Sequence, residues 1–391
     1  MAGKYYVAID LGATSGRIML GDGKDKLSEF YRFPTPMCHR EDGIYWDFEA
    51  LFDALITGLR QLDIRKDELI SISCDSWAQD FGLLDAGGGL TGPVFSYRDK
   101  GSEIYSASRL AYIEQKFPER VKNAVNLLHI ADLVHFRLCG ARRSNHTLAA
   151  ISRLPLDHPL LAPAADCEII GTVNHRQLPA LSGLPVISGA GHDTAAAYAG
   201  STVKDNEVFI SLGTWVMAAC ACNDDTPAKA NFKILPLIRK QQAYTAGGMG
   251  LWPFQQCVKI WKAQNIFPGY AELDSRAAAC KLDGFIDPDS PELFAPENMV
   301  DAVCQLYGRK LDIYEISALL LRGAAYRIGQ LVRSFGRDFA QAVLVGGGAQ
   351  SIFISSLISG ALPCKLTIGH GEASAYGNVL IQHAVMNDIL L

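Results

Sequence analysis

The chain has 391 residues, a formal net charge of −5, and a composition that is 49% hydrophobic and 20% charged. This length suits two or three domains of ordinary size. The acidic balance and the scattered Lys and Arg residues argue against a nucleic-acid surface. No apolar run reaches the roughly 18 residues that a membrane-spanning helix needs. The ten cysteines lack metal-binding spacing, and the chain starts on a predicted strand rather than a signal peptide, so a cytoplasmic location is expected.

The first half of the chain begins with strand patterns. Apolar runs predict three antiparallel strands at 5–10, 17–22 and 27–33, joined by short glycine-containing turns. The further elements predicted in this half are a helix from residue 48, a strand at 69–74 beside the first strand, helices at 103–116, 119–127 and 130–137, an irregular segment at 153–184, a strand at 185–191, and a helix of small residues after it.

The plan restarts in the second half. The elements predicted there are strands from 208 on either side of a Gly-Thr turn, strands near 231–235 and 242–245, an amphipathic helix at 314–335, a strand at 342–345, and a last strand at 366–368. A charged turn follows Gly200 and Ser201. We therefore predict two α/β domains, residues 1–200 and 201–391.

Two stretches, at 6–20 and 208–219, share one pattern. In each, a buried strand runs into a small-residue, hydroxyl-bearing turn and continues as a second strand. Such turns expose backbone N–H groups that bind phosphate. One in each half predicts a duplicated fold that holds one polyphosphate from both sides, and hence an ATP-dependent transferase.

Asp10 lies near the end of the first strand and is expected to face the first of these two turns. A carboxylate there can hold Mg²⁺, usually through water, and Arg17 adds a fixed positive fork for phosphate. The alternative is an aspartate that only caps a turn.

Asp193 lies where a strand ends and a helix begins, after the small residues Gly189 and Gly191. An aspartate there can accept the proton of a substrate hydroxyl while a γ-phosphoryl group arrives in line. The alternative is a helix N-cap.

Two further loops are candidates for ligand contacts. Trp77, Gln79 and Asp80 follow a buried strand and offer an aromatic face with amide and carboxylate groups, which suits a polyol; a core tryptophan beside a surface turn is the alternative. The glycines at 346–348 follow another strand and leave room for an adenine ring. Their spacing does not match a dinucleotide-binding fingerprint, and the sequence has no P-loop, so nucleotide binding needs another architecture.

Taken together, these motifs resemble the FGGY carbohydrate kinases of the actin, hexokinase and Hsp70 ATPase superfamily. The resemblance rests on five motifs in order, at 10–17, 191–194, 213–214, 346–348 and 372–377. Residues 75–77, 80–85, 97–99 and 249–252 are most similar to the rhamnulokinase group of this family. The resemblance implies duplicated ribonuclease H-like domains with a cleft between them, and ATP and Mg²⁺ as cofactors. It also implies that residues 1–200 form the sugar-binding and catalytic domain and residues 201–391 the ATP-binding domain.

Carried over residue by residue, the resemblance implies a set of site residues. Asp193 is the expected catalytic base, and Asp10 the expected Mg²⁺ ligand. The expected ATP contacts are Ala13, Thr14, Ser15, Gly16, Arg17, Thr214, Gln255, Gly346, Gly347 and Gly348. The expected substrate contacts are Trp77, Ala78, Gln79, Asp80, His192, Asp193, Thr194 and Gly247.

Departures from the family pattern leave the sugar open. Ala78 replaces a glycine, Gly247 and Gly248 stand where relatives carry a sugar-binding Asn, and the chain is shorter than family members. Phosphorylation of L-rhamnulose to its 1-phosphate is the first expectation. The alternatives are another ketose or polyol such as L-fuculose or xylulose, or a non-catalytic sugar- or ATP-sensing relative. A protein-binding ATPase of the Hsp70 or actin kind is not expected, because no protein-binding domain or polymer signature is recognisable in the sequence. No nucleic-acid or membrane partner is expected, and a homodimer is left open.

Overall fold

The computed structural model describes residues 4–62, 66–99, 105–222 and 232–389. These residues form two compact units. The first contains the chain up to Gly200, together with Pro236–Gln242 and the C-terminal segment from Ser374; the second contains the described parts of Ser201–Leu235 and Ala243–Ala373. Residues 103, 104 and 231, at the ends of predicted elements, lie outside the described ranges. The division of sugar-binding and ATP-binding roles between 1–200 and 201–391 stays a prediction.

The helices and strands follow one another along the described chain. The strands are β1 Tyr5–Leu11, β2 Ser15–Gly21, β3 Leu27–Pro34, β4 Met37–Arg40, β5 Gly43–Trp46, β6 Leu69–Ser76, β7 Phe81–Leu84, β8 Val94–Phe95, β9 Asn126–His129, β10 Ser144–Asn145, β11 Ala164–Ala165, β12 Glu168–Thr172, β13 Pro185–Ser188, β14 Val208–Leu212, β15 Trp215–Ala221, β16 Lys233–Pro236, β17 Gln242–Met249, β18 Gln341–Val345 and β19 Lys365–Ile368. The α-helices are α1 Phe48–Arg60, α2 Ser106–Lys116, α3 Pro118–Lys122, α4 Ile130–Cys139, α5 His146–Ile151, α6 Asp193–Ser201, α7 Trp252–Ala263, α8 Tyr270–Ala278, α9 Met299–Tyr307, α10 Ile313–Ser334, α11 Ile352–Ala361 and α12 Ala373–Met386.

The main sheet of the first unit has the strand order β12-β13-β6-β1-β2-β3. β1, β2 and β3 are antiparallel neighbours, whereas β6 runs parallel to β1, and β13 runs parallel to β6. The predicted order of three antiparallel strands followed by a strand beside the first is therefore confirmed. Because β1, β6 and β13 are parallel, their carboxyl ends share one edge of the sheet.

The second unit repeats this plan, with the strand order β16-β17-β15-β14-β18-β19. β14 pairs antiparallel with β15, and it pairs parallel with β18 on its other side. β15 in turn pairs antiparallel with β17, and β19 pairs parallel with β18. The two halves of the chain thus share an antiparallel hairpin joined to parallel strands, as the repeated motif predicted.

Helix α1 shows how the sequence produces a local element. Asp47 caps its N-terminus by accepting from the Ala50 backbone N–H at 3.0 Å. Its buried face consists of Phe48, Leu51, Phe52, Leu55, Ile56, Gly58 and Leu59. Gly58 lets the helix approach β3, because a Cβ there would lie 2.2 Å from the Tyr31 ring.

The C-terminal helix α12 is tied to the sheet of the first unit by a buried glutamine. Gln382 donates to the carbonyl of Val7 on β1 at 3.0 Å and accepts from the hydroxyl of Ser71 on β6 at 2.7 Å. Gln382 and Ser71 are both fully buried. These bonds fix the position of α12 against the strands that end at the candidate site.

Two of the sequence predictions were wrong in this unit. The helix predicted at 119–127 is the short α3, which ends at Lys122, and residues 126–129 form β9 instead. β9 pairs antiparallel with β7, which buries Leu127 and Leu128, so tertiary pairing overrides the local helical pattern. The segment predicted as irregular contains the edge strand β12.

Within the described ranges, no helix is long and apolar enough to cross a membrane.

Candidate active site

Three carboxylates lie at the carboxyl edge of the first sheet. Asp10 and Asp75 are register partners on the parallel strands β1 and β6. Asp193 follows β13 and is reached through a bridge in which the Ser76 N–H donates to the Gly191 carbonyl at 2.9 Å. Ligands of open α/β sheets bind at this edge. The structure therefore places two of the predicted residues, Asp10 and Asp193, on one edge with a third carboxylate.

Asp10 is buried and paired with Arg17. The Arg17 guanidinium donates to Asp10 Oδ2 at 2.5 Å, and the two residues are directly opposite each other in the β1–β2 hairpin. The guanidinium is thus held beside the turn by a charge-assisted hydrogen bond. Its predicted contact with phosphate stays a prediction.

The turn between β1 and β2 carries the other predicted phosphate contacts. The Gly12 N–H donates to the Ser15 carbonyl at 3.1 Å, which closes the turn. Two arginines that the sequence analysis missed border it: Arg98 donates to the Ala13 carbonyl at 3.1 Å, and Arg32 donates to the Ser15 hydroxyl at 3.1 Å. Arg32 lies opposite Arg17 on the neighbouring strand β3, whereas Arg98 is 85 residues away from Ala13, so strand pairing and packing bring both to the turn. They add positive charge beside a turn predicted to bind phosphate.

Asp75 is the third carboxylate, and its role was also missed. It is fully buried, and its Oδ2 accepts from Asn378 of α12 at 2.6 Å. Its Oδ1 is buried without a hydrogen-bond partner among the described residues. Burial and the negative charge of Asp10 hold the pKa of Asp75 well above its usual range. A signal did exist in the sequence, since Asp75 follows a buried strand as Asp10 does.

Asp193 is the first residue of α6. The Thr194 hydroxyl donates to Asp193 Oδ1 at 3.0 Å, and His192 Nε2 lies 3.4 Å from the same oxygen. Burial lowers the pKa of His192, so the ring is uncharged near neutral pH. The side chain of Asp193 is 35% exposed, and the positive end of the helix favours its negative charge. Three of the eight predicted substrate contacts, His192, Asp193 and Thr194, therefore lie together, with a carboxylate that solvent or a ligand can reach.

The predicted sugar loop is built around Asp80. Its Oδ2 accepts from the indole of Trp46 at 2.6 Å, the indole of Trp77 at 2.8 Å, and the backbone N–H of Tyr97 at 3.2 Å. Burial raises the pKa of Asp80 to about 6. Trp77 is itself buried. These contacts give the loop a fixed shape, and direct sugar contacts by Trp77 and Asp80 stay a prediction.

Gln79 has the left-handed φ of 78° that few non-glycine residues adopt. Its amide donates to the Ile151 carbonyl at 3.0 Å and accepts from the Ser106 N–H at 2.9 Å. Both ends of the amide are therefore bonded within the protein. Its neighbour Ala78 is partly exposed. Gln79 therefore fixes the conformation of the loop through these two bonds. Its substrate contact stays a prediction.

A buried pair, Asp132 and His129, lies near the His192 ring. Asp132 Oδ1 accepts from the Asn145 N–H at 3.0 Å, and Oδ2 lies 3.8 Å from His129 Nδ1. Burial raises the pKa of Asp132 to about 8. The pKa of His129 is lowered to about 3, mainly by burial and to a smaller extent by the neighbouring His192. At neutral pH the pair is therefore two uncharged groups and not an ion pair.

This pair predicts a pH-dependent stability difference. Between the ordinary aspartate pKa near 4 and the folded value of about 8, folded Asp132 holds a proton that the unfolded chain lacks. Its contribution to stability therefore falls as pH rises, by about 1.4 kcal/mol per pH unit. Asp132→Asn keeps the acceptor for Asn145 and does not titrate. Its stability relative to the parent should rise between about pH 5 and about pH 8, measured by urea unfolding.

The matched control is Asp157→Asn, which neutralises an exposed aspartate. Its stability difference from the parent should not grow over the same pH range. A constant difference for Asp132→Asn would show that Asp132 is ionised in the folded chain.

In the second unit, the predicted ATP contacts Thr214 and Gln255 touch each other. The Thr214 hydroxyl donates to Gln255 Oε1 at 2.8 Å. The turn is closed by the Leu251 N–H, which donates to the Gly213 carbonyl at 2.8 Å. Gly250 is required here, because a Cβ would lie 2.7 Å from that same carbonyl oxygen. Long-range packing of the 249–252 motif therefore shapes the second turn that is predicted to bind phosphate.

The glycines at 346–348 lie at the end of β18, beside the end of β14. Gly346 has a φ of 93°, and a Cβ there would lie 2.8 Å from the Leu212 carbonyl oxygen. A Cβ on Gly348 would meet the Leu212 side chain at 2.7 Å, whereas Gly347 faces open space. Two glycines thus serve close packing, and the middle one leaves room for a ligand.

Gly247 and Gly248 lie on β17. A Cβ on Gly247 would have only the Val216 carbonyl oxygen nearby, at 3.1 Å. The space beside Gly248 is taken by Asp289, which accepts from the Met249 N–H at 2.6 Å and forms an ion pair with Arg327. An acidic group that the sequence analysis did not identify therefore lies next to a predicted substrate position.

Comparison with known proteins shows which sequences and solved structures this chain resembles. No family model matches the chain. It is 27% identical to a rhamnulokinase from Bacteroides thetaiotaomicron over 440 aligned positions, which cover 96% of this chain and 90% of the relative. A xylulose kinase from Rhodospirillum rubrum superimposes with a TM-score of 0.74 at 16% identity, covering 99% of this chain and 92% of that one. A gluconate kinase from Lactobacillus acidophilus gives a TM-score of 0.75 at 14% identity, covering 98% and 89%.

The chain is a carbohydrate kinase, and over its full length it is similar to kinases of the FGGY family. The full-length match in sequence agrees with the motifs at 10–17 and 191–194, and the solved structures agree with the duplicated α/β architecture. This kinase is therefore a phosphotransferase with an alcohol group as acceptor. Its relatives act on different sugars, so the comparison leaves the acceptor of this kinase open.

Proposed function

We propose that this kinase transfers the γ-phosphoryl group of ATP to a ketose hydroxyl, with L-rhamnulose as the first candidate and Asp193 as the base. The observation that carries the proposal is the position of Asp193. Its carboxylate is 35% exposed at the start of α6, on the sheet edge where β1 and β6 end. The full-length likeness to a rhamnulokinase supports the choice of sugar.

In the proposed reaction, the Asp193 carboxylate accepts the proton of the acceptor hydroxyl as its oxygen attacks the γ-phosphorus. The new O–P bond forms while the bond from that phosphorus to the β,γ-bridging oxygen breaks, and ADP leaves. Thr194 donates to Asp193 Oδ1 and so orients the carboxylate. His192 stays uncharged and therefore does not neutralise the base.

The edge of the first unit suits the phosphate end of a nucleotide. Backbone N–H groups of the turn at 12–16 and the guanidinium of Arg17 offer hydrogen-bond donors, and Asp10 offers hard oxygen ligands. Within the described ranges, no cluster of three or more His, Cys, Asp or Glu side chains could hold a metal ion. This fits Mg²⁺, which keeps several waters and binds few protein carboxylates. When bound, Mg²⁺ neutralises charge on the β- and γ-phosphates.

The second unit carries further residues that we propose to contact a nucleotide. The bonded pair Thr214 and Gln255 lies at one glycine turn, and the open space at Gly347 lies at another. Both turns follow strands that are parallel neighbours, β14 and β18. A phosphate at the first turn and an adenosine at the second would therefore share one edge of this sheet.

Two positions bear on which sugar is used. At Gly247 the missing side chain removes a donor and acceptor, typically worth about 0.5–1.5 kcal/mol per hydrogen bond. At Ala78 a methyl group replaces a hydrogen. These changes keep L-fuculose and xylulose as alternative acceptors, and they also motivate the non-catalytic alternative.

A panel of ketoses and polyols tests the proposed function. With ATP and Mg²⁺ in a coupled assay, kcat/KM should be highest for L-rhamnulose. In a parallel thermal-shift screen, a sugar at 100 times its Kd should add about 2.7 kcal/mol of stability. A preference for xylulose or L-fuculose would reassign the acceptor. ATP binding without turnover on any member of the panel would favour the non-catalytic alternative.

A further inference from the structure

Two buried polar residues lie behind the loop that carries Asp193. Asn145 is the N-cap of α5, and Thr147 lies in the first turn of that helix. Both are fully buried. The Asn145 side-chain oxygen accepts from the Thr147 N–H at 3.0 Å, as an N-cap does. Both side chains also bond to the loop that precedes Asp193.

Asn145 bonds to the loop on both sides of Ala190. Its amide nitrogen donates to the Gly189 carbonyl at 2.6 Å and to the Ser188 hydroxyl at 3.0 Å. Its amide oxygen accepts from the Gly191 N–H at 3.0 Å. One planar amide therefore fixes both the end of β13 and the residue two positions before Asp193.

Thr147 continues this contact by one residue. Its hydroxyl donates to the Asn145 oxygen at 2.6 Å and accepts from the His192 N–H at 3.1 Å. The His192 carbonyl then accepts from the Ala196 N–H at 2.9 Å, which is the first bond of α6. A continuous series of hydrogen bonds thus runs from α5 through the loop to the helix that begins at Asp193.

The glycine at 191 makes this contact feasible. A Cβ there would lie 2.8 Å from both the Asn145 side-chain carbon Cγ and Leu148 Cδ1. The loop therefore lies directly against the amide of Asn145, without space for water between them. Buried donors and acceptors that lose such partners are costly, so the loop has little freedom to rotate.

We propose that Asn145 and Thr147 are positioning residues that hold the backbone from Gly189 to His192 and so set the direction of the Asp193 carboxylate. Neither side chain needs to touch the substrate. The proposal rests on the proposed role of Asp193 as the base. A displacement of a reacting group by about 1 Å can lower the rate of reaction about 100-fold. Binding of the nucleotide does not depend on the direction of the Asp193 carboxylate in this proposal, so it should change little.

Thr147→Val tests the proposal, because it removes the hydroxyl and keeps the shape. We expect kcat to fall about 10-fold or more, with the KM for ATP unchanged within about 2-fold. Thr147→Ser restores the hydroxyl and should recover kcat to within about 3-fold of the parent. Ser152→Ala is the matched control, since it removes another buried hydroxyl of the same region, whose bonds to described residues go to the Ala149 carbonyl and the Leu154 N–H. It should leave kcat unchanged.

Amide hydrogen exchange gives a second readout that needs no sugar. Peptides that cover residues 188–196 should exchange faster in Thr147→Val and at the parental rate in Thr147→Ser and Ser152→Ala. If Thr147→Val does not fold, Thr147→Ala leaves room for a bridging water and should show the same effects at smaller size.

The outcomes separate this proposal from the proposed function. Unchanged exchange in Thr147→Val, or faster exchange with parental kcat, overturns the positioning role. If instead Asp193→Asn retains parental turnover, the role of Asp193 as base fails, and the exchange data still decide whether Thr147 holds the loop.

Discussion

With a ketose as acceptor, Asp193→Asn should transfer phosphoryl groups at least about 100-fold more slowly than the parent. The substitution removes the proton acceptor and changes little else. Asparagine can still accept from the Thr194 hydroxyl through its amide oxygen, and it can still occupy the start of α6. The defect should therefore appear in kcat, while the Kd for an ATP analogue, measured by calorimetry, should stay within about 3-fold of the parent.

Asp205→Asn is the control for this experiment. It neutralises an exposed aspartate on the turn that follows α6 and should leave kcat unchanged. Parental turnover by Asp193→Asn would rule out Asp193 as the base. Loss of ATP-analogue binding together with turnover would show instead that the substitution acts on the nucleotide site.

Gly377→Ala should destabilise the first unit by about 3 kcal/mol, the upper end of what overpacking typically costs. A Cβ at this position of α12 would lie 1.8 Å from the Ala196 carbonyl oxygen and 2.7 Å from the Gly200 nitrogen, both on α6. Alanine normally stabilises a helix by about 1 kcal/mol relative to glycine, which is too little to offset a clash with backbone. Because α6 begins with Asp193, displacement of this helix should also lower kcat. Urea unfolding followed by circular dichroism measures the stability.

Gly360→Ala is the matched control. Gly360 lies in α11, and a Cβ there would meet nothing within 4 Å. This variant should therefore be as stable as the parent or more stable by up to about 1 kcal/mol, with unchanged kcat. Equal behaviour of the two alanine variants would contradict the close crossing of α12 and α6.

Local patterns were sufficient for the elements that lead to the site. The strand and turn at 5–17 and the strand that ends before Asp193 follow from apolar runs interrupted by glycines and hydroxyl residues. These features depend on neighbours in sequence, and the structure has them where the patterns indicate. The helix predicted at 119–127 failed because Leu127 and Leu128 are buried by pairing with β7, a contact that a local pattern does not record.

The contacts that hold the site come from distant parts of the chain. Asn378 reaches Asp75 from about 300 residues away, and Arg98 reaches the first phosphate turn from 85 residues away. The residue type of Gln79 suits a sugar, and this contact stays a prediction, but only the structure shows that its amide is bonded to Ser106 and Ile151. Residue chemistry indicates what a side chain can do, whereas its partners depend on the packing of other segments.

By itself, the sequence determined the duplicated α/β plan, the two glycine turns that we predict to bind phosphate, and the positions of Asp10 and Asp193 at strand ends, because strand periodicity and turn chemistry are local. Only the tertiary structure decided that Asp75 joins them and that Asn145 and Thr147 support the loop before Asp193. The physical reason is that hydrogen bonds between segments far apart in the chain form only after both sheets and their helices have packed.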